Sequence, residues 1–159
     1  MSAGLDPILD SLLDRLALRL PGSQPLPGEF IGPGVNSQRS VFNGTATTTF
    51  TSGPFVNPNS RYAIVTLNIT AASGTTPTLV VALQGVNHDG VAYQLGPAAG
   101  ATFAQQTGVA GPLVLYVGPG LTVTANVSVN VPVPAQYQIV HTIGGTTPSF
   151  TYSVDLDLI

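Results

Sequence analysis

Cysteine, tryptophan and lysine are all absent from the chain, and glutamate occurs once. Without cysteine there is no disulfide, no thiolate zinc site and no thiol nucleophile, so stability must come from packing or from association. Without lysine there is no phosphate-binding loop of the Gly-rich, lysine-bearing kind and no Schiff-base amine. Charge is scarce as well: six Asp, one Glu and four Arg are the only charged residues among 159, for a net charge of -3. Phosphate binding needs several convergent cations, so this composition excludes nucleic acid as a partner. No apolar run reaches the roughly 18 residues of a membrane span, and the start "MSAGLDPILDSLL" has acids where a secretory signal has bases, so neither a membrane nor an export route is expected. The three glycosylation-type sequons at Asn43, Asn68 and Asn126 then reflect a Thr- and Asn-rich β composition.

What is present divides into three regions. Residues 1–22 hold a helical pattern, in which Asp6 and Pro7 start a helix, Leu5, Leu9, Leu12 and Leu16 repeat at helical spacing, and Pro21 and Gly22 end it. Ile8, Leu13 and Leu20 widen the stripe until a helix of this length cannot stand alone in water. Its own domain, copies of itself or another protein must cover it. Residues 23–60 are rich in Pro and Gly and read as an extended arm with one short strand at "TATTTF". The apolar residues Phe30, Ile31, Val41 and Phe42 suit such an arm to lying on a neighbour.

Residues 61–159 alternate apolar and polar side chains with the period of two that marks strands with one wet face. Phe150, Tyr152, Val154, Leu156 and Leu158 fall on one side of the last run, with Ser149, Thr151, Ser153, Asp155 and Asp157 on the other. The segment "TVTANVSVNV" divides in the same way, with Val123, Ala125, Val127, Val129 and Val131 inward. Seven to nine such strands between Gly and Pro turns predict an all-β fold, an antiparallel β-sandwich or jelly roll. The turn "GTTP" occurs at Gly74–Pro77 and again at Gly145–Pro148, each after a similar strand, "YAIV" or "YQIV". The expectation is two hairpins at equivalent corners of a pseudo-symmetric sandwich.

Reactive groups are few. His88 and Asp89 lie in "VNHDGVAY", where Asn, Asp and Gly spell a hairpin turn. His141 shares a strand face with Ile139 and Ile143, which predicts a hydrogen-bonded, half-buried ring. Asp155 and Asp157 stand about 7 Å apart by strand rise, close enough to share a hard cation if loops supplied further oxygens, but they read as a solvated face. Neither an active site nor a metal or cofactor site is expected.

The stretches "VTLNITAASGTTPTLVVALQG", "YVGPG" and "VPAQYQIVHTIGGTTPSFTYSVDLDLI" resemble small structural proteins of tailed bacteriophages, over about residues 60–159. The resemblance implies a capsid decoration, or cement, protein on the outer surface of the virion. Its partners would be the major capsid protein and copies of itself, with a trimer favoured. Leu9, Leu12, Leu13, Leu16, Phe30, Ile31, Val41 and Phe42 are then the expected contact residues. A tail or head-fibre component, or a glycan-recognition module, is the alternative, although the sequence has no Trp to build a sugar platform.

Overall fold

The computed structural model describes residues 37–97 and 100–159. The expected N-terminal helix, with Leu9, Leu12, Leu13 and Leu16, and the arm residues Phe30 and Ile31 lie outside the described residues. The described chain forms β1 (Ser37–Ala46), β2 (Phe50–Val56), β3 (Ala63–Val86), β4 (Ala92–Gln94), β5 (Ala101–Thr102), β6 (Ala110–Val117), β7 (Ser128–Val129) and β8 (Gln136–Leu158). It contains no helix, and the fold class is all-β. The main path of the sheet runs β1-β8-β3-β6-β7, with β2 on β8 and both β4 and β5 on β3.

The organising pair is β3 with β8. These strands of 24 and 23 residues run antiparallel from Ala63↔Leu158 to Gly85↔Tyr137. Neither reverses at its "GTTP", so the hairpins expected from the sequence are not formed. Instead each strand passes straight through, and the two copies meet, with Thr75 opposite Thr146 between register shifts. Gly74 (φ +115°) and Gly145 (φ +112°) lie in backbone territory that L side chains rarely enter, and Thr76 and Thr147 are left-handed at +47° and +49°. A Cβ on Gly74 would stand 2.6 Å from the Thr147 carbonyl oxygen, and one on Gly145 would stand 2.6 Å from that of Thr76. Each copy fills the notch that the other leaves, and this reciprocity is why the turn is written twice.

The relation extends outward from the crossing. Gly53–Pro54 in β2 lies against Gln138 of β8, and Gly111–Pro112 in β6 lies against Asn68 of β3, each at a register shift. A pseudo-two-fold through the paired corners therefore exchanges β3 with β8 and β2 with β6. It matches Asn68 to Gln138, so "YAIV" and "YQIV" are not structural counterparts. Tyr137 is buried at 1% exposure, whereas Tyr62 is 40% exposed.

Strands β1 and β2 follow one another along β8, β1 against its C-terminal half and β2 against its N-terminal half. Much of the expected arm is thus sheet, and "TATTTF" spans the bend between two strands. Pairing with β8 supplies the order that Pro and Gly deny locally. At the bend Thr49 stands in for a ladder partner: the Ile143 N–H donates to Thr49 Oγ1 (2.9 Å), which itself donates to the Ile143 carbonyl (3.2 Å). Replacing Thr49→Val keeps the shape and orphans an N–H beside a buried residue, so the expected loss in urea unfolding is about 1–3 kcal/mol. A loss below about 0.5 kcal/mol would show that the hydroxyl does not secure the bend.

The inward residues of both halves belong to one core, including Val65, Leu67 and Ile69 before the β3 corner and Leu79, Val81 and Leu83 after it. The last run is buried as expected, with Phe150, Tyr152, Val154, Leu156 and Leu158 all at 2% exposure or less. "TVTANVSVNV" departs from expectation, since only Ser128–Val129 is strand. Thr124 to Val127 is a turn closed by the Val127 N–H on the Thr124 carbonyl, with Asn126 at φ +61°, and it leaves Val123 and Val127 about half exposed. A left-handed Asn breaks the period that composition alone would continue.

Candidate interaction surface

Both histidines have structural surroundings. His141 is completely buried, deeper than the half-buried ring expected, with its ring stacked on Phe50 at 4.2 Å between centroids and flanked by Phe42 and Tyr152. Its two nitrogens each meet a hydroxyl, Nδ1 that of Tyr152 at 2.9 Å and Nε2 that of Ser52 at 3.3 Å. A neutral imidazole offers one donor and one acceptor, so both contacts are satisfied without charge. Burial among aromatic rings lowers its pKa to about 4, because the charged form loses its hydration. Burial likewise pushes the Tyr152 phenol up, and that of Tyr137 too, with nearby Arg39 partly opposing the rise at Tyr137. Serine and histidine are adjacent here, yet the imidazole is walled in by rings and strands, so the arrangement holds β2 to β8 rather than presenting a nucleophile.

His88 and Asp89 form the expected turn. Asn87 Oδ1 accepts from the N–H groups of Asp89 and Val91, Gly90 closes the turn onto the Asn87 carbonyl, and His88 lies 3.0 Å from its neighbour Asp89 in open solvent. Among the described residues no group of three or more His, Cys, Asp or Glu side chains converges as a metal site would require. No helix among them is long and apolar enough to cross a membrane.

Of the expected contact residues, the described part places Val41 and Phe42 on the chain's own core, half-buried. Phe42 packs against Phe50 and Tyr152, with centroids 5.0 and 4.6 Å apart. Their apolar character is already used within the domain. Arg39 is engaged too, its guanidinium 4.7 Å from the centre of the Phe55 ring.

Three of the five tyrosines are exposed on the surface. Tyr62, Tyr93 and Tyr116 are 40–44% exposed. Tyr62 precedes β3 on the side of Ile64 and Thr66, and its ring occupies the space over Gly118. Tyr116 pairs across from Ile64, while Leu115 and Val117 beside it turn inward. The signal was available in the alternation, since Tyr62 and Tyr116 both carry the parity of the wet face. Across this face one row reads Gln38, Asp157, Ile64, Tyr116 and Ser128 on five neighbouring strands, and the next reads Ser40, Asp155, Thr66 and Val114.

No protein family, curated protein or solved structure matches this chain.

Proposed function

We propose that the chain is a non-enzymatic structural protein of a tailed-bacteriophage virion, a decoration protein that binds the outer capsid surface and cross-links capsomers without covalent bonds. In this reading the bent sheet closes into a jelly-roll-like β-sandwich, the protein acts as a small oligomer, with a trimer favoured, and its principal partner is the major capsid protein. The observation that carries the reading is the division of labour in the domain. His141 and Ser52 hold strands together in the core, while a broad sheet face of Thr, Ser, Asp and Tyr is free for contact. Many weak contacts repeated over a lattice give firm attachment without high affinity at any single site. The resemblance of residues 60–159 to phage structural proteins points the same way.

A recognition module on a head or tail fibre is the second reading, and the exposed tyrosines favour it, because aromatic faces suit sugar rings. One experiment separates the two: purified protein is added to capsids stripped of it, and occupancy is read by cryo-electron microscopy. Regular density on the outer lattice is expected. Binding to host cells or glycans with bare capsids would overturn the decoration reading. Deletion of residues 1–30 tests the N-terminal segment, with loss of oligomeric state or of capsid affinity expected.

A further inference from the structure

The residues from Ser37 onward carry five charges: Arg39, Arg61, Asp89, Asp155 and Asp157. Arg39 covers the Phe55 ring, and Asp89 has His88 beside it. The carboxylates of Asp155 and Asp157 have neither a hydrogen bond nor an ion pair with any described residue. They are not at a rim. Both lie on β8 at the middle of the sheet, with β1 on one side and β3 on the other, and both are half-buried. Beside them the same face carries apolar surface from Tyr62, Ile64 and Tyr116, and the exposed Ile159 follows at the strand end. A sheet face with tyrosines around an apolar centre has the composition of a protein interface, and two carboxylates without a cation among the described residues specify the sign of what covers them.

We infer that this face of β6, β3 and β8 docks on a protein partner that presents arginine or lysine to Asp155 and Asp157 and apolar side chains to Tyr62, Ile64 and Tyr116. Nucleic acid and anionic lipid headgroups bring the wrong charge to the carboxylates. A second copy laid face to face across a two-fold sets acid against acid, so the symmetric self-contact is disfavoured by the same two residues. The partner is therefore a different surface from this one, and under the decoration reading, on which the inference rests, it is a basic patch of the capsid protein.

The test uses the full chain and stripped capsids. Wild type, Asp155→Asn/Asp157→Asn and Tyr62→Ala/Tyr116→Ala are titrated onto capsids by co-sedimentation at 50 and 500 mM NaCl. Each double variant is expected to bind about tenfold more weakly at low salt, since a central aromatic or a paired charge typically carries that much. Wild-type binding weakens with salt, and the Asn variant loses that dependence, because only the ionic part is screened. Because these side chains are on the surface, melting temperatures should stay within a few degrees of wild type, and Thr45→Ala/Thr151→Ala on the same face, whose hydroxyls meet at 2.8 Å, should bind normally. If wild type binds and both double variants bind equally well, the docking face is wrong and the decoration reading survives. If wild type does not bind capsids, both fail. If the Asn variant gains self-association on sedimentation while binding capsids unchanged, the face belongs to copies of the chain and the inference is overturned.

Discussion

Gly145→Ala is expected to lower stability by about 3–5 kcal/mol, among the largest losses available to a single methyl group in this protein. Two effects add. At φ +112° a side chain is strained in itself, and the new Cβ would lie 2.6 Å from the Thr76 carbonyl oxygen and 3.0 Å from the Pro77 Cα, both backbone atoms that cannot swing aside. Yielding would mean unpairing the crossing of the two longest strands, from which both halves of the sheet extend. Gly74→Ala meets the same geometry against Thr147 and Pro148 and should cost about as much. The pair should be less than additive, because once one corner has opened the other no longer meets a closed notch. Gly90→Ala is the control: its φ is also positive, at +80°, but nothing lies within 4 Å, so only the intrinsic penalty of about 1–2 kcal/mol applies. In a domain of this size the contrast corresponds to roughly 8–15 °C in melting temperature. If Gly145→Ala melts within 2 °C of Gly90→Ala, the corners do not lock one another.

Acidification should destabilise the fold by about 3 kcal/mol between pH 6.5 and pH 4 through His141 alone. The native pKa, about 4, is below the unfolded value of 6.5, so in that window the unfolded chain binds the proton and the folded chain refuses it. Stability from this residue is therefore complete above pH 6.5, falls as pH drops through the window, and levels off below about 4. Among the described residues no carboxylate faces the ring to rescue the charge. β1, β2 and β3 bring Phe42, Phe50, Ser52 and Val81, and the acids of β8 at 155 and 157 lie on its opposite face. Urea unfolding at pH 7.5, 5.5 and 4.0 should give a steep slope for wild type and a flatter one for His141→Phe. That variant is less stable at pH 7.5, because the Tyr152 and Ser52 hydroxyls lose their partner, but aspartate titration is common to both proteins and cancels in the comparison. Equal slopes would mean that His141 takes up its proton as readily in the native state as in the unfolded chain.

These two predictions differ in how far they could have been drawn from the residues alone. The inward placement of His141 follows from its parity with Ile139 and Ile143. Its depth does not, because burial depends on Phe42 and Phe50, which arrive from strands almost a hundred residues earlier. Glycine at the corners was legible as a turn signal, and the repetition of "GTTP" as a hint of symmetry. That the chain runs on through both turns was not legible, since a bend and a reversal use the same residue types. The partner decides between them. The wet face is similar: alternation turns Asp155 and Asp157 outward, but their joining with Tyr62 and Tyr116 needs the register of β8 against β3 and of β3 against β6.

Alternation and composition by themselves determined the β class, the buried side of the last strand, the His88–Asp89 turn and the near absence of charge. They could do so because each depends on a side chain's position relative to its immediate neighbours, a matter of two- to four-residue periodicity. Tertiary structure alone decided that the two Gly-Thr-Thr-Pro segments interlock, that residues 37–56 complete the sheet, and that Asp155 and Asp157 share a face with tyrosines from two other strands. Those outcomes depend on pairing across about 50 to 120 residues, where hydrogen-bond register selects among arrangements that the local pattern leaves equal in energy.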